Sequence, residues 1–141
     1  MYDAYKKVNI ETASQGKLIV MLFNGAIQRA EEAKRQLEKR NLQGVHNNLI
    51  RAQDIVSELR NALNMKAGDI AVNLDRCYEY FQHLLVTANI RKDPRPIDEC
   101  VEYLTSMRDT WQNLFEGLAK ETTPTPQRIN THGSKIINIR G

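Results

Sequence analysis

Between residues 42 and 63 the apolar side chains Leu42, Val45, Leu49, Ala52, Val56, Leu59 and Leu63 recur at spacings of three and four without a miss. Such a heptad stripe is buried by laying a helix along another helix. A second clean heptad runs through Ile97, Cys100, Leu104, Met107, Trp111, Leu114 and Leu118. A third apolar face comes from Leu74, Tyr78, Phe81, Leu85 and Ala88. No segment of the body alternates apolar and polar residues as a half-buried strand would.

The breaks between these faces are short. A polar start signal at Ser14 opens a first helix that runs to about Lys39, and Asn41 can cap the second. Asn64 to Asp69, with Gly68, reads as a stop followed by a new cap at Asp69, and the third helix then runs from Ile70 to about Ile90. Asp93-Pro94-Arg95-Pro96 is a break that suits a helix start, with Asp98 and Glu99 placed where the helix dipole favours anions. Helices of about 20–25 residues joined by about two to six residues make antiparallel neighbours. The expected fold is all-α: an antiparallel up-down-up-down four-helix bundle over residues 14–121, about 30–35 Å long. Residues 1–13 form an N-terminal cover segment, too apolar for a solvated arm. Residues 122–141, opening with Thr122-Thr123-Pro124-Thr125-Pro126 and later carrying Ile129, Ile136, Ile137 and Ile139, form a flexible or docking tail.

The first helix carries more apolar surface than one seam needs. Leu18-Ile19-Val20-Met21-Leu22-Phe23, with Ala26 and Ile27, covers roughly 260° of its circumference, against about 100° for a helix on a single core. One stripe, Leu18, Leu22, Ala26, Ala30, Ala33 and Leu37, seats it in the bundle. The second, Ile19, Phe23 and Ile27, needs another home. That home is the chain's own N-terminal segment or an amphipathic helix of a partner. The two are compatible if Tyr5, Val8 and Ile10 form a displaceable groove cover. Second-stripe residues elsewhere, Ile50 and Ile55 on the second helix and Tyr80 and Leu84 on the third, complete the expected partner-binding set.

Catalytic chemistry finds no foothold. A di-iron bundle needs Glu-x-x-His pairs, which are absent; Glu79 and His83 read as an exposed polar pair, and His46 and His132 have no ligating neighbours. The glycines are isolated and form no phosphate loop. No metal, cofactor or enzymatic activity is expected. The net charge of +3 is spread over interleaved signs, with part of the excess in the tail at Arg128, Lys135 and Arg140, which argues against nucleic acid. A helix-turn-helix at Asn64–Asp69 would have overlong flanking helices and would offer only Arg76, Arg91 and Lys92. Cys77 and Cys100 lack a zinc spacing. An antiparallel turn near Asp93 puts Cys100 opposite residue ~87 and Cys77 opposite residue ~110, about 15 Å apart along the axis and beyond disulfide reach. Free thiols, no secretory signal and an apolar run too short for a bilayer point to the cytoplasm, without stable membrane insertion. Monomer and weak homodimer both stay open.

Three stretches then match a known pattern. Tyr5, Thr12-Ala13-Ser14 and Leu18-Ile19-Val20-Met21-Leu22-Phe23-Asn24-Gly25-Ala26-Ile27 resemble the opening of the flagellin-specific export chaperones, the FliS family. Leu63-Asn64-Met65-Lys66-Ala67-Gly68-Asp69-Ile70-Ala71-Val72-Asn73-Leu74, followed by Tyr78, looks like that family's most recognisable segment. Met107-Arg108-Asp109-Thr110-Trp111 is similar to the signature of its last helix. The resemblance spans about residues 2–118. It departs at Gln15, where the family commonly has proline, at Phe23, often tyrosine, and at Asn64, often aspartate; the tail has no counterpart. The resemblance implies a non-enzymatic antiparallel bundle that holds the disordered C-terminal segment of newly made flagellin in the cytoplasm. It would prevent premature polymerisation and present the segment to the flagellar type III export gate, with the N-terminal segment able to fold over the binding surface. The residues alone also fit a structural helical adaptor that docks an amphipathic helix of another cytosolic protein.

Overall fold

The computed structural model describes the backbone of residues 2–121 and the side chains of residues 15–117. Helix α1 spans Tyr2–Glu38, α2 Leu42–Asn61, α3 Asp69–Arg91 and α4 Pro94–Glu121, with one 3₁₀ turn at Met65–Ala67. The expected start at Ser14 is not a start: α1 passes through it unbroken. No proline or glycine interrupts residues 2–14, and Ala4, Lys6, Lys7, Glu11 and Ala13 are good helix formers, so the helix does not need to begin at Ser14. The side chains of Tyr5, Val8, Ile10 and Leu118 lie outside the described residues, as does the whole tail with His132.

The remaining boundaries follow local chemistry. The Asn41 side chain accepts a hydrogen bond from the Gly44 amide at 3.1 Å and caps α2 as expected. Gly68, at φ 83° and ψ −140°, occupies backbone space that is strained for other residues. It is therefore Gly68, not Asp69, that precedes α3, and Asp69 falls in the first turn. Asp93 accepts from the Arg95 amide at 3.0 Å as Pro94 opens α4.

Each helix packs on its neighbours in sequence, and α4 closes the ring against α1. Cross-helix pairs fix the directions. Lys34 meets Asp98 at 2.7 Å, Arg108 donates to Asn24 at 3.0 Å, and Gly16 lies under the Phe115 ring, so α4 runs back along α1. Arg29 reaches Asn48 while Gly25 faces Ile55, so α2 does the same. Between α2 and α3, the Arg60 guanidinium donates to both Asp75 oxygens at 2.8 and 3.1 Å, and His46 pairs with Asn89 near the other end. Arg60 holds the Asp75 carboxyl below the usual carboxylate range.

The core takes Val45, Leu49, Ala52, Val56 and Leu59 from α2, Tyr78, Phe81, Leu84, Leu85 and Ala88 from α3, and Ile97, Cys100 and Leu104 from α4. On α1 the expected division into two stripes does not survive. Ala26, Ala30 and Ala33 are buried, but so are Phe23 and Ile27, at 0% and 5% exposure. Phe23 packs on Tyr78 with ring centroids 6.2 Å apart. The physical reason is that α1 has two neighbours, α2 and α4, and needs a wide apolar arc to serve both. Leu18, assigned to the seating stripe, is instead 55% exposed. Across the α3–α4 seam the register also differs from expectation: Cys100 faces Phe81, its thiol 3.7 Å from the Phe81 carbonyl oxygen, not residue 87. Both cysteines are free, and burial pushes the Cys100 thiol up to about 12.

Candidate functional site: an apolar groove between the last two helices

The α3–α4 seam stays open. Leu74, Cys77 and Phe81 from α3 and Met107, Trp111 and Leu114 from α4 border a cavity of about 890 Å³. Tyr80 and Tyr103 stand at one end and Ile70 at the other. Helix separation follows side-chain size at the contact. Here the contact is aromatic: Phe81 stacks on Tyr103 at 5.9 Å, and Tyr80 meets Tyr103 edge-on at 6.0 Å. A smaller depression of about 250 Å³ shares Ile70, Leu74 and Trp111 and extends the apolar surface to Ile19, Leu59 and Leu63. Trp111 therefore stands where the two spaces meet.

Trp111 is held from behind. Its indole stacks on Phe115 at 5.5 Å, and the Phe115 ring lies so close to Gly16 that a Cβ there would sit 2.8 Å from it. Glycine in mid-helix costs about 0.5–1 kcal/mol relative to alanine; at Gly16 that cost gives Phe115 its seat. Below Trp111 lies Tyr78, whose phenol burial pushes up to about 12 while a hydrogen bond with Trp111 pulls the other way. At the rim, the Tyr80 hydroxyl donates to Glu99 at 2.6 Å, and this bond raises the Tyr80 pKa.

Nothing in this lining is arranged for catalysis or ligation. Among the described residues no three His, Cys, Asp or Glu side chains gather as a metal site would require. What the groove can do is take apolar side chains out of water, with few polar groups to fix their direction.

The expected binding residues are scattered by the fold. Tyr80, 43% exposed, lines the groove, and Ile19, partly buried, lines the smaller depression. Phe23, Ile27 and Leu84 are core, Ile55 is partly buried behind Gly25, and Ile50, 38% exposed, borders neither space. Missed altogether were Leu74, Met107, Trp111 and Leu114, which the heptad pattern assigns to a closed core. Their signal was side-chain size. The α1 stripe offers Ala26, Ala30 and Ala33, whereas the α3 and α4 stripes offer Tyr, Phe, Met and Trp to each other.

Comparison with known proteins bears on the chain as a whole. The model of a family described as flagellar protein FliS matches residues 1–117. The flagellar secretion chaperone FliS of Bacillus subtilis (strain 168) is 32% identical over 120 residues, covering 85% of this chain and 90% of the relative. That of Vibrio cholerae is 34% identical over 117 residues, with 79% and 86% covered. That of Salmonella typhimurium is 32% identical over 117 residues, with 79% and 87% covered.

Proposed function

The chain belongs to the flagellar protein FliS family, and from that premise we propose that it is a flagellar secretion chaperone, not an enzyme, whose client is flagellin. It holds the disordered C-terminal segment of flagellin in the cytoplasm, prevents premature polymerisation and presents the segment to the flagellar type III export gate. The observation that carries this reading is the α3–α4 groove. From Tyr103 to Leu114 it follows α4 for about 16 Å, the length of three turns of a guest helix. An amphipathic guest would seat its apolar side chains at helical spacing against Leu74, Met107 and Trp111, with Tyr80 and Tyr103 closing one end. Ile19 adds apolar surface past Trp111, and Phe23 and Ile27 support that wall from inside the bundle.

Such binding suits a hand-over. A disordered segment that folds as it binds spends part of its interaction energy on ordering, so its affinity stays moderate for the area covered. Among the described residues no helix is long and apolar enough to cross a membrane, in keeping with this reading.

The test is calorimetry against a peptide spanning the last ~50 residues of the host's flagellin, a length typical of segments that fold on binding. A one-to-one complex with a negative heat-capacity change is expected, and Met107→Asp should abolish it. Absence of heat at tens of micromolar from a folded protein would return the function to an adaptor for some other amphipathic helix.

A further inference from the structure

We propose that Arg76 pairs with one Asp or Glu side chain flanking the apolar stripe of the guest helix, and that this pair fixes the register of the guest in the α3–α4 groove. The inference rests on the groove being the guest site. Among the described residues that border the groove, Arg76 alone is charged. The wall across from it is polar but neutral, with Ser106, Thr110 and Asn113 along the lip of α4.

The guanidinium is left for a partner from outside. Arg76 is exposed, and among the described residues no carboxylate pairs with it. The two carboxylates within one turn of it on α3 are engaged elsewhere: Arg60 of α2 takes Asp75 at 2.8 Å and Glu79 at 3.5 Å. On α4, Glu99 accepts from the Tyr80 hydroxyl at 2.6 Å and Asp109 pairs with Arg108 at 3.1 Å. Neither of these borders the groove, nor does Glu102. The opposite lip offers little competition for a guest acceptor, since the Thr110 hydroxyl donates to the Ser106 carbonyl oxygen of its own helix at 3.1 Å. Arg76 is the strong donor that this groove presents.

Its position makes the pairing selective. Cys100 faces Phe81, so counting back along α3 and forward along the antiparallel α4 brings Arg76 level with about residue 105. It stands about 6 Å of helix from Tyr80 and about 9 Å from Ile70, within the span of the groove and not beyond its ends. A helix seated on Leu74, Met107 and Trp111 carries its flanking residues past this point, and docking strips water from the guanidinium. A cation desolvated without a partner is unfavourable, so a guest that brings a carboxylate there is preferred and one that brings Lys or Arg is rejected. The planar fork of arginine matches both oxygens of a carboxylate, which adds geometry to charge. Apolar seats alone leave the register loose, because apolar side chains recur every three or four residues of an amphipathic helix. A slip of one turn moves the guest about 5.4 Å and takes its carboxylate out of reach of Arg76.

The test is calorimetry of the full chain and its Arg76→Gln variant against the flagellin peptide of ~50 residues. A set of the same peptide, each member with one Asp or Glu changed to its amide, is measured beside it. Arg76→Gln should weaken binding about three- to tenfold in dilute salt, with an unchanged thermal melt. The difference should shrink as salt is added. One substituted peptide, and not the others, should lose as much against the parent and nothing further against Arg76→Gln. Changing that guest residue to lysine should weaken the parent complex more, and Arg76→Glu should restore it. Equal affinity of both proteins for a peptide that binds would overturn the proposal and leave the flagellin reading standing. A loss spread over several carboxylates, or reproduced only by amidating the peptide's C-terminus, would overturn it as well. A lowered melt with no rescue by the charge swap would place Arg76 in the fold and overturn it. A peptide that binds neither folded protein would remove the flagellin reading, and with it the guest that Arg76 is proposed to hold.

Discussion

The α1–α2 seam and the α3–α4 seam come from the same kind of heptad pattern and end differently. On the first, Gly25 lets Ile55 settle against α1, and the buried residues that the two helices bring include Ala26, Ala30 and Ala33 of α1 and Ala52 of α2, all at 0% exposure. On the second, Tyr80, Phe81, Tyr103, Met107 and Trp111 crowd one side and leave about 890 Å³ open. Apolar periodicity says which face turns inward. The volume that two faces bring to one seam decides whether the helices close or stand apart with a groove between them.

The sharpest way to break this contrast is at its closed side. Phe23→Ala should cost about 3–5 kcal/mol in denaturant unfolding, because it empties a fully buried site against Tyr78. A cost under about 1 kcal/mol, the range of a surface change, would put Phe23 back among the surface anchors. Next in size is a pH effect. Tyr78 has its folded pKa raised from 10.0 to about 12, so the fold favours the neutral phenol. Its contribution is complete below pH 10 and is lost as pH climbs toward 12, by about 3 kcal/mol for a shift of this size. Cys100 gives a slope of the same sign, so unfolding of Tyr78→Phe beside the parent isolates the phenol. An identical alkaline slope in both would mean that Tyr78 is wetter than its packing indicates.

The open side predicts smaller and differently distributed effects. Trp111→Ala should weaken the flagellin peptide by about 2 kcal/mol or more, and stability by less, since the indole is only partly buried. Equal losses in calorimetry and in unfolding would make Trp111 an ordinary core residue. The smallest pair compares two glycines of α1. Gly25→Ala places its Cβ 3.4 Å from the flexible tip of Ile55 and should gain up to about 1 kcal/mol of helix propensity. Gly16→Ala gains the same but must displace the Phe115 ring, at about 1–3 kcal/mol, so a net loss of about 1 kcal/mol is expected. A thermal melt in which both variants gain would show that Phe115 can move aside freely, and that Trp111 is not braced through it.

How far the sequence could be read depended on what kind of signal each element carries. Helix α2 was legible almost to the residue, because its cap, Asn41, and its stripe from Val45 to Leu59 are local patterns. The stripe's first member, Leu42, nonetheless ends 53% exposed at the helix start, before the seam begins. Helix α1 was misread twice for one reason. A cap signal such as Ser14 is only an option, and a wide apolar arc such as Leu18 to Ile27 does not say how many neighbours a helix has. The flagellar assignment was legible from Leu63–Leu74 and Met107–Trp111 as a pattern. The groove those segments build was not, because it depends on Met107 and Trp111 meeting Leu74 and Cys77 across a seam whose register shifted from the expected one.

The ring closes between the first helix and the last, and this sets an order in time. Gly16 waits for Phe115, about a hundred residues later, and Lys34 waits for Asp98. At about 5–20 residues per second of synthesis, α1 spends on the order of ten seconds outside the ribosome before the helix that completes its packing exists. The α3–α4 groove, bounded by residues 70–114, is finished in the same final stretch. A half-made chain therefore has no groove to offer, and the open seam arrives together with the closed core.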